Sequence, residues 1–133
     1  MGRIGSATYK ALSDGGLRPV GLDADTYKAR AHAEAGRNVV SADAQDSNFW
    51  KGVKLDHIKA AVLAMDSLEA KLIASRTLRA KGFTGPIVSH ALHEEHVAMI
   101  KEAGASTAYL TMREAGRSLA NDAIAAIEAD PAS

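Results

Sequence analysis

The stretch Ile58-Lys59-Ala60-Ala61-Val62-Leu63-Ala64-Met65 decides the fold. Apart from Lys59 it is apolar throughout. It shows no alternation and is too short to cross a membrane, so it reads as a strand buried on both faces, as parallel strands are. Ser67–Lys81 follows as a helix, with Ala70, Ile73, Ala74 and Leu78 along one side. Gly82 ends it, because glycine accepts the left-handed turn that closes a helix. Pro86 then opens a second extended run, Ile87–His90. Strand, helix and strand make one βαβ unit, whose right-handed crossover leaves its two strands parallel.

The same alternation extends outward in both directions. Downstream, a helix over Glu94–Ala103 ends at Gly104, a strand covers Thr107–Leu110, and an amphipathic helix spans Glu114–Glu128 with Leu119, Ala123, Ile124 and Ile127 on one side. Upstream, a helical turn at Ser47–Lys51 follows a strand at Asn38–Ser41. Before these come a helix over Ala24–Ala35, an extended run Arg18–Asp23, and an opening helix Gly2–Asp14 closed by Gly15 and Gly16. Ile4, Ala7, Thr8, Ala11 and Leu12 form that first helix's stripe. The expected architecture is α/β, a Rossmann-like doubly wound parallel sheet. It forms one domain over residues 1–129, with 130–133 a frayed tail. One feature breaks the pattern. A doubly wound sheet places a central strand before its first helix, and here the chain opens on the helix, so either the true chain begins earlier and was cut or the domain folds with its first strand missing. Strand exchange, or direct pairing of the two flanking strands, would fill the gap.

Composition narrows the function. The 133 residues carry 16 Lys and Arg against 16 Asp and Glu, and this zero balance gives no support for nucleic acid as a partner. The absence of cysteine excludes disulfides, thiolate catalysis and zinc–thiolate sites. With no apolar span and no leader, the chain is expected to be soluble and cytoplasmic.

Candidate site residues gather where strands end. Gly2-Arg3-Ile4-Gly5 has the spacing of the second and third glycines of G-x-G-x-x-G, at a helix start whose free amides can bind an anion. Arg3 could pair with a phosphate or stand as a solvated charge. Asp23, with Ala24 beside it, ends the next extended run 18 positions after Gly5. That is close to the interval expected of the acid that holds a ribose. Its bland reading is a helix cap, a role for which Asp25 competes. Asp43, followed by Ala44, would receive an adenine amino group or cap the next helix. Met65 and Asp66 face the switch point of the sheet, and Asp66 with Glu69 would equally form a capping box. His90, His93 and His96 are spaced by three, but a strand end and a loop need not bring them together, so no metal is expected. His90 could instead sense a ligand or pH. No Tyr-x-x-x-Lys, G-x-S-x-G, G-x-x-x-x-G-K-[ST] or H-E-x-x-H occurs, so catalytic machinery is absent from the pattern.

Taken in order, MGRIG, VGLDAD, EAGRNVVSADAQDSNFW, AAVLAMDSLEAKLIASRTLRAKG, PIVSHALHEEHVAMIKEAGA and TAYLTMREAG resemble the TrkA-N domains, also called RCK or KTN domains. The likeness covers about Met1 to Gly116 and is strongest to the cytosolic domain of Kef-type, glutathione-gated potassium efflux antiporters. It implies a regulatory domain that binds NAD or AMP, works as a homodimer, and gates a membrane potassium channel or antiporter subunit from the cytoplasm or the inner membrane face. It implies Gly2, Arg3 and Gly5 in the phosphate loop, Asp23 on the ribose, Asp43 and Ala44 on the adenine side, and Met65 and Asp66 beside the ligand. Glu114–Gly116 would lead into a dimer-crossing helix. Lys71 stands where an asparagine is common. Two rival readings are a truncated NAD-dependent oxidoreductase and a fragment that lost ligand binding with its first strand.

Overall fold

The structure, a computed structural model, describes residues 1–130; residues 131–133, most of the expected tail, lie outside that range. Helix α1 (Arg3–Asp14) leads to β1 (Gly21–Asp23), α2 (Thr26–Glu34), β2 (Val39–Ser41) and the short α3 (Ser47–Lys51). Then come β3 (Ala61–Leu63), α4 (Leu68–Ala80), β4 (Ile87–Ala91), α5 (Glu94–Glu102), β5 (Thr107–Leu110) and α6 (Thr111–Ala129). The strands pair in parallel in two groups, β1 with β2 and β3-β4-β5 with β4 in the middle. This is the expected doubly wound, Rossmann-like arrangement, split where its central strand would run. Of the two ways to fill that gap, direct pairing of β1 with β3 is not made among the described residues.

The core sits in the three-stranded half. Leu63, Phe83, Ile87, Ala91 and Ile100 are buried together with Ala74 and Leu78 of α4 and Trp50 of α3. Across β1 and β2 only Val39 is a buried hydrophobic, with Ala29 of α2 above it. The asymmetry follows from burial on two faces. Strand β4 has a neighbour on each side and helices α4 and α5 packed against it, whereas β1 has one neighbour. Helix α1 feels the same gap: Ile4, Thr8 and Leu12 are half-buried, while Ala7 and Ala11 of its stripe stay exposed.

Arg79 closes the bottom of this core. Its Nε donates to Gly104 O at 2.9 Å, Nη1 to Phe83 O and Gly85 O at 2.8 Å each, and Nη2 to Ser106 Oγ at 3.2 Å. Ser106 Oγ also accepts the Ile87 N–H at 3.1 Å. One guanidinium thereby ties the turns before β4 and β5 to α4. Gly104 makes this possible. Its φ of +128° suits glycine, and a Cβ there would lie 2.7 Å from Arg79 Cγ.

Several boundaries differ from expectation for local reasons. A turn closed by Ile58 N–H on Leu55 O takes Ile58 out of its strand, so only Ala61–Leu63 pairs. Likewise only Gly21–Asp23 of Arg18–Asp23 is strand. The buried face of α4 is Ala70, Lys71, Ala74, Ser75 and Leu78, turned from the predicted stripe toward Lys71 and Ser75. Helix α6 starts directly at Thr111, and none of its described residues is buried. Met112 and Leu119 are 79% and 72% exposed. Contact with the sheet is confined to its start, where Thr111 Oγ1 donates to Ala91 O of β4 at 3.1 Å.

Candidate functional site

The carboxyl ends of β1, β2, β3 and β4 carry Asp23, Ala24, Asp43, Ala44, Met65, Asp66 and His90, and the first loop joins them through α1. The first intrahelical bond of α1 runs from Ser6 N–H to Gly2 O at 2.9 Å, and no side chain caps the helix. The amides of Arg3, Ile4 and Gly5 precede that bond and point from a positive helix end, the arrangement that receives an anion. A Cβ on Gly2 would meet nothing within 4 Å, so the loop is open there. Gly5 is the reverse. It is buried, and a Cβ on it would lie 3.2 Å from Met1 Cβ and 3.7 Å from the Ala64 methyl. The lack of a side chain at Gly5 lets α1 close onto the end of β3. Arg3 is exposed.

Asp23 and Asp25 divide the two roles left open by the sequence. Asp25 is the N-cap of α2, its Oδ1 accepting from Tyr27 N–H at 2.9 Å and Lys28 N–H at 3.2 Å. Asp23 does not cap. Its Oδ1 accepts the Asp25 N–H at 2.9 Å, and its Oδ2 accepts from the Met1 ammonium. The Asp23 side chain is largely covered, and it faces the α1 loop. Burial first, and the Lys28 charge second, pull the Met1 ammonium below its ordinary value, with Asp25 opposing them. A ribose at Asp23 would take the place of that ammonium. The cap assignment is separable from the site: Asp25→Ala should lower stability by about 1 kcal/mol in urea unfolding.

The other residues spread along the same edge. Asp43 is exposed and accepts the Gln45 N–H at 2.9 Å; Asp46, not Asp43, caps α3. Ala44 is held by its carbonyl, which accepts from Trp50 Nε1 at 2.7 Å. Ser67, not Asp66, caps α4, its Oγ accepting the Ala70 N–H at 3.2 Å, so the expected Asp66–Glu69 capping box gives way to the serine. That leaves Asp66 exposed beside half-buried Met65. Ala24 is exposed next to Asp23.

His90 is turned away from the other two histidines. Its Nε2 donates to Ala64 O at 3.2 Å, and its Nδ1 lies 2.9 Å from Thr111 Oγ1. His93 and His96 instead pack edge to face, 5.1 Å between ring centres. The three do not converge, and the described residues hold no cluster of His, Cys, Asp or Glu fit for a metal ion. Burial, then the charge of Lys71, pushes the His90 imidazole below its ordinary range.

Lys71, noted in the sequence only as standing where an asparagine is common, is buried beside this edge. It is 1% exposed, and its ammonium makes no ion pair within 4.0 Å among the described residues. Asp66 and His90 are the charged or titratable groups facing it. Its position between Ala70 and Ala74 on the apolar side of a helix was the available signal. Burial drives its ammonium below the ordinary 10.5, against the opposing pull of Asp66. A lowered lysine value means the folded state gives up its proton first, so stability rises as pH climbs from the folded value toward 10.5. Lys71→Met should therefore raise stability near neutral pH by about 1–2 kcal/mol and flatten that alkaline rise, read by urea unfolding from pH 7 to 10.

With this geometry in view, similarity to known proteins can be placed. Ktr system potassium uptake protein C of Bacillus subtilis (strain 168) is 22% identical over 125 residues, 93% of this chain and 56% of that protein. "Putative K(+) efflux antiporter KefB" of Alkalimonas amylolytica is 29% identical over 119 residues, 90% of this chain and 18% of that protein. The chain thus spans about half of the first relative and under a fifth of the second. Among solved structures, the TrkA-N domain of inner membrane protein YbaL from Escherichia coli superposes with a TM-score of 0.76 at 23% identity, covering 90% of this chain and 89% of that one. The GsuK channel bound to NAD gives 0.75 at 19% identity, covering 90% of this chain and 22% of that one. These likenesses show a shared fold. The family model of the TrkA-N domain matches residues 1–111, and on that match the chain belongs to the TrkA-N domain family.

Proposed function

We propose that this chain is a nucleotide-responsive regulatory domain of a potassium transport system, taking NAD(H) or AMP across the carboxyl edge of its sheet. The observation that carries the reading is the meeting of two features at that edge. The uncapped amides of Arg3, Ile4 and Gly5 offer a phosphate site. The Asp23 carboxylate already holds a cationic hydrogen-bond donor beside the same loop. Phosphate on a helix start and ribose on the acid that ends the next strand are the two anchors of dinucleotide binding in this fold. Asp43, Ala44, Met65, Asp66 and His90 would line the remainder. The NAD in the GsuK channel structure supports the ligand class.

Output would come through a homodimer. Helix α6 leaves Met112, Leu119 and Ile124 uncovered, more apolar surface than a lone helix usually shows to water. A nucleotide acts on such a dimer only through unequal affinity for its arrangements. The membrane partner would be a potassium channel or antiporter, with this domain on its cytoplasmic side. No helix among the described residues is long and apolar enough to cross a membrane itself.

Calorimetric titration with AMP, NAD and NADH tests the reading. Saturable binding with one site per chain is the expected result. No heat with any of the three would remove the proposed function, and turnover of NAD with a small alcohol or hydroxy acid would replace it with the oxidoreductase reading.

A further inference from the structure

We infer that His90 is a proton-operated tie at the root of helix α6, holding that helix more firmly when its imidazole is charged. The hydrogen bonds around the ring define two states. Ala64 O can only accept, so Nε2, 3.2 Å away, carries a proton in both. Nδ1 lies 2.9 Å from Thr111 Oγ1, and Thr111 Oγ1 lies 3.1 Å from Ala91 O. The hydroxyl has one proton for those two acceptors. When the ring is neutral, Nδ1 is a bare acceptor that competes with Ala91 O for it. When the ring is charged, Nδ1–H donates to Thr111 Oγ1, and the hydroxyl proton goes to Ala91 O. The charged state makes both bonds at Thr111, the neutral state one.

Thr111 is the first residue of α6, which has no side-chain cap and no buried residue among those described. Beyond it, Arg113 pairs with Glu94 of α5 at 3.3 Å, but both side chains are exposed and such a pair contributes little. The part-buried bonds through Thr111 are the stronger hold on the start of the helix. Its apolar residues are uncovered, so the firmness of this root governs how α6 is presented to a partner copy.

The surroundings place the switch on the acid side of neutrality. Burial, then the charge of Lys71 on α4, opposes the charged ring, while Asp66 and the backbone of Ala64 and Met65 favour it. The balance lies below the ordinary 6.5. From α5 and α6, Glu94 and Arg113 neutralise one another. At neutral pH the ring is therefore neutral and Thr111 is divided between two acceptors; acidification charges the ring and closes both bonds. The inference goes beyond the nucleotide reading and needs no ligand, so a domain that bound no nucleotide would keep this response.

NMR on the full chain from about pH 7.5 to about pH 5 tests it. Long-range nitrogen–proton spectra should show the neutral ring as the Nε2–H tautomer, charging with a midpoint below 6.5. The Ala115 N–H, which by helix geometry donates to Thr111 O, reports the root of α6. Its protection from exchange, corrected for the intrinsic pH dependence, should rise about three- to tenfold as the ring charges, which is what one hydrogen bond contributes. His90→Gln and Thr111→Val should each abolish the rise, the latter with a ring that still titrates, and Thr111→Ser should restore it. A neutral Nδ1–H tautomer, a ring still neutral at the acid end, flat Ala115 protection while His90 charges, or the same rise in either of the first two variants would overturn the inference.

Discussion

Arg79→Ala is expected to lower the free energy of unfolding by about 3–4 kcal/mol, the largest stability effect of any single change discussed here. The guanidinium serves three carbonyls and one hydroxyl that belong to different turns. Hydrogen bonds from a charged donor contribute about 1.5–3 kcal/mol each, and a partner left dry and unpaired costs more than the bond contributed. The contributions are not additive, since the same turns lose all four partners at once. The ring of Phe83 also loses the cation 5.7 Å from its centre. Arg79→Lys should recover little, because an ammonium cannot reproduce the planar fork. Urea unfolding reads both variants; a loss under 1 kcal/mol for the alanine variant would show that the turns hold without it.

Asp23→Ala is expected to weaken nucleotide affinity by about 30- to 160-fold. The figure follows from losing charged hydrogen bonds to a ribose, about 2–3 kcal/mol in all. Asp25→Ala is the control, two residues away and committed to capping α2. It should lower stability and leave affinity within about threefold. If instead Asp25→Ala abolished binding and Asp23→Ala did not, the ribose role would pass to the wrong acid for this geometry.

How far residues alone foretold this structure varied with the physics at each place. Helix ends were plain, because Gly16, Gly36, Gly82 and Gly104 all take positive φ where an apolar stripe stops. The alternation of elements, and with it the parallel sheet, followed from the apolar run before Asp66. Which acid caps a helix was not legible. Asp23 and Asp25, or Asp66 and Ser67, lie within two positions of each other, and the backbone angles at the turn choose between them. The burial of Lys71 escaped notice because a lysine is taken for surface unless its neighbours in space are known. Strand pairing was equally hidden: no local pattern in the sequence says whether β1 and β3 close on one another, and among the described residues they do not. The edge that carries Gly2, Gly5 and Asp23 was foreseen from spacing. The ammonium seated on Asp23 was not.

The account turns on where a nucleotide settles, and a two-dimensional amide NMR titration with NAD and AMP reads that directly. The predicted result is a set of saturating shifts at Gly2, Arg3, Ile4, Gly5, Asp23 and Ala24, with smaller ones at Ala44, Met65 and Asp66. Shifts confined to the groove between α5 and α6, around Lys101 and Arg113, or none at millimolar ligand, would contradict it.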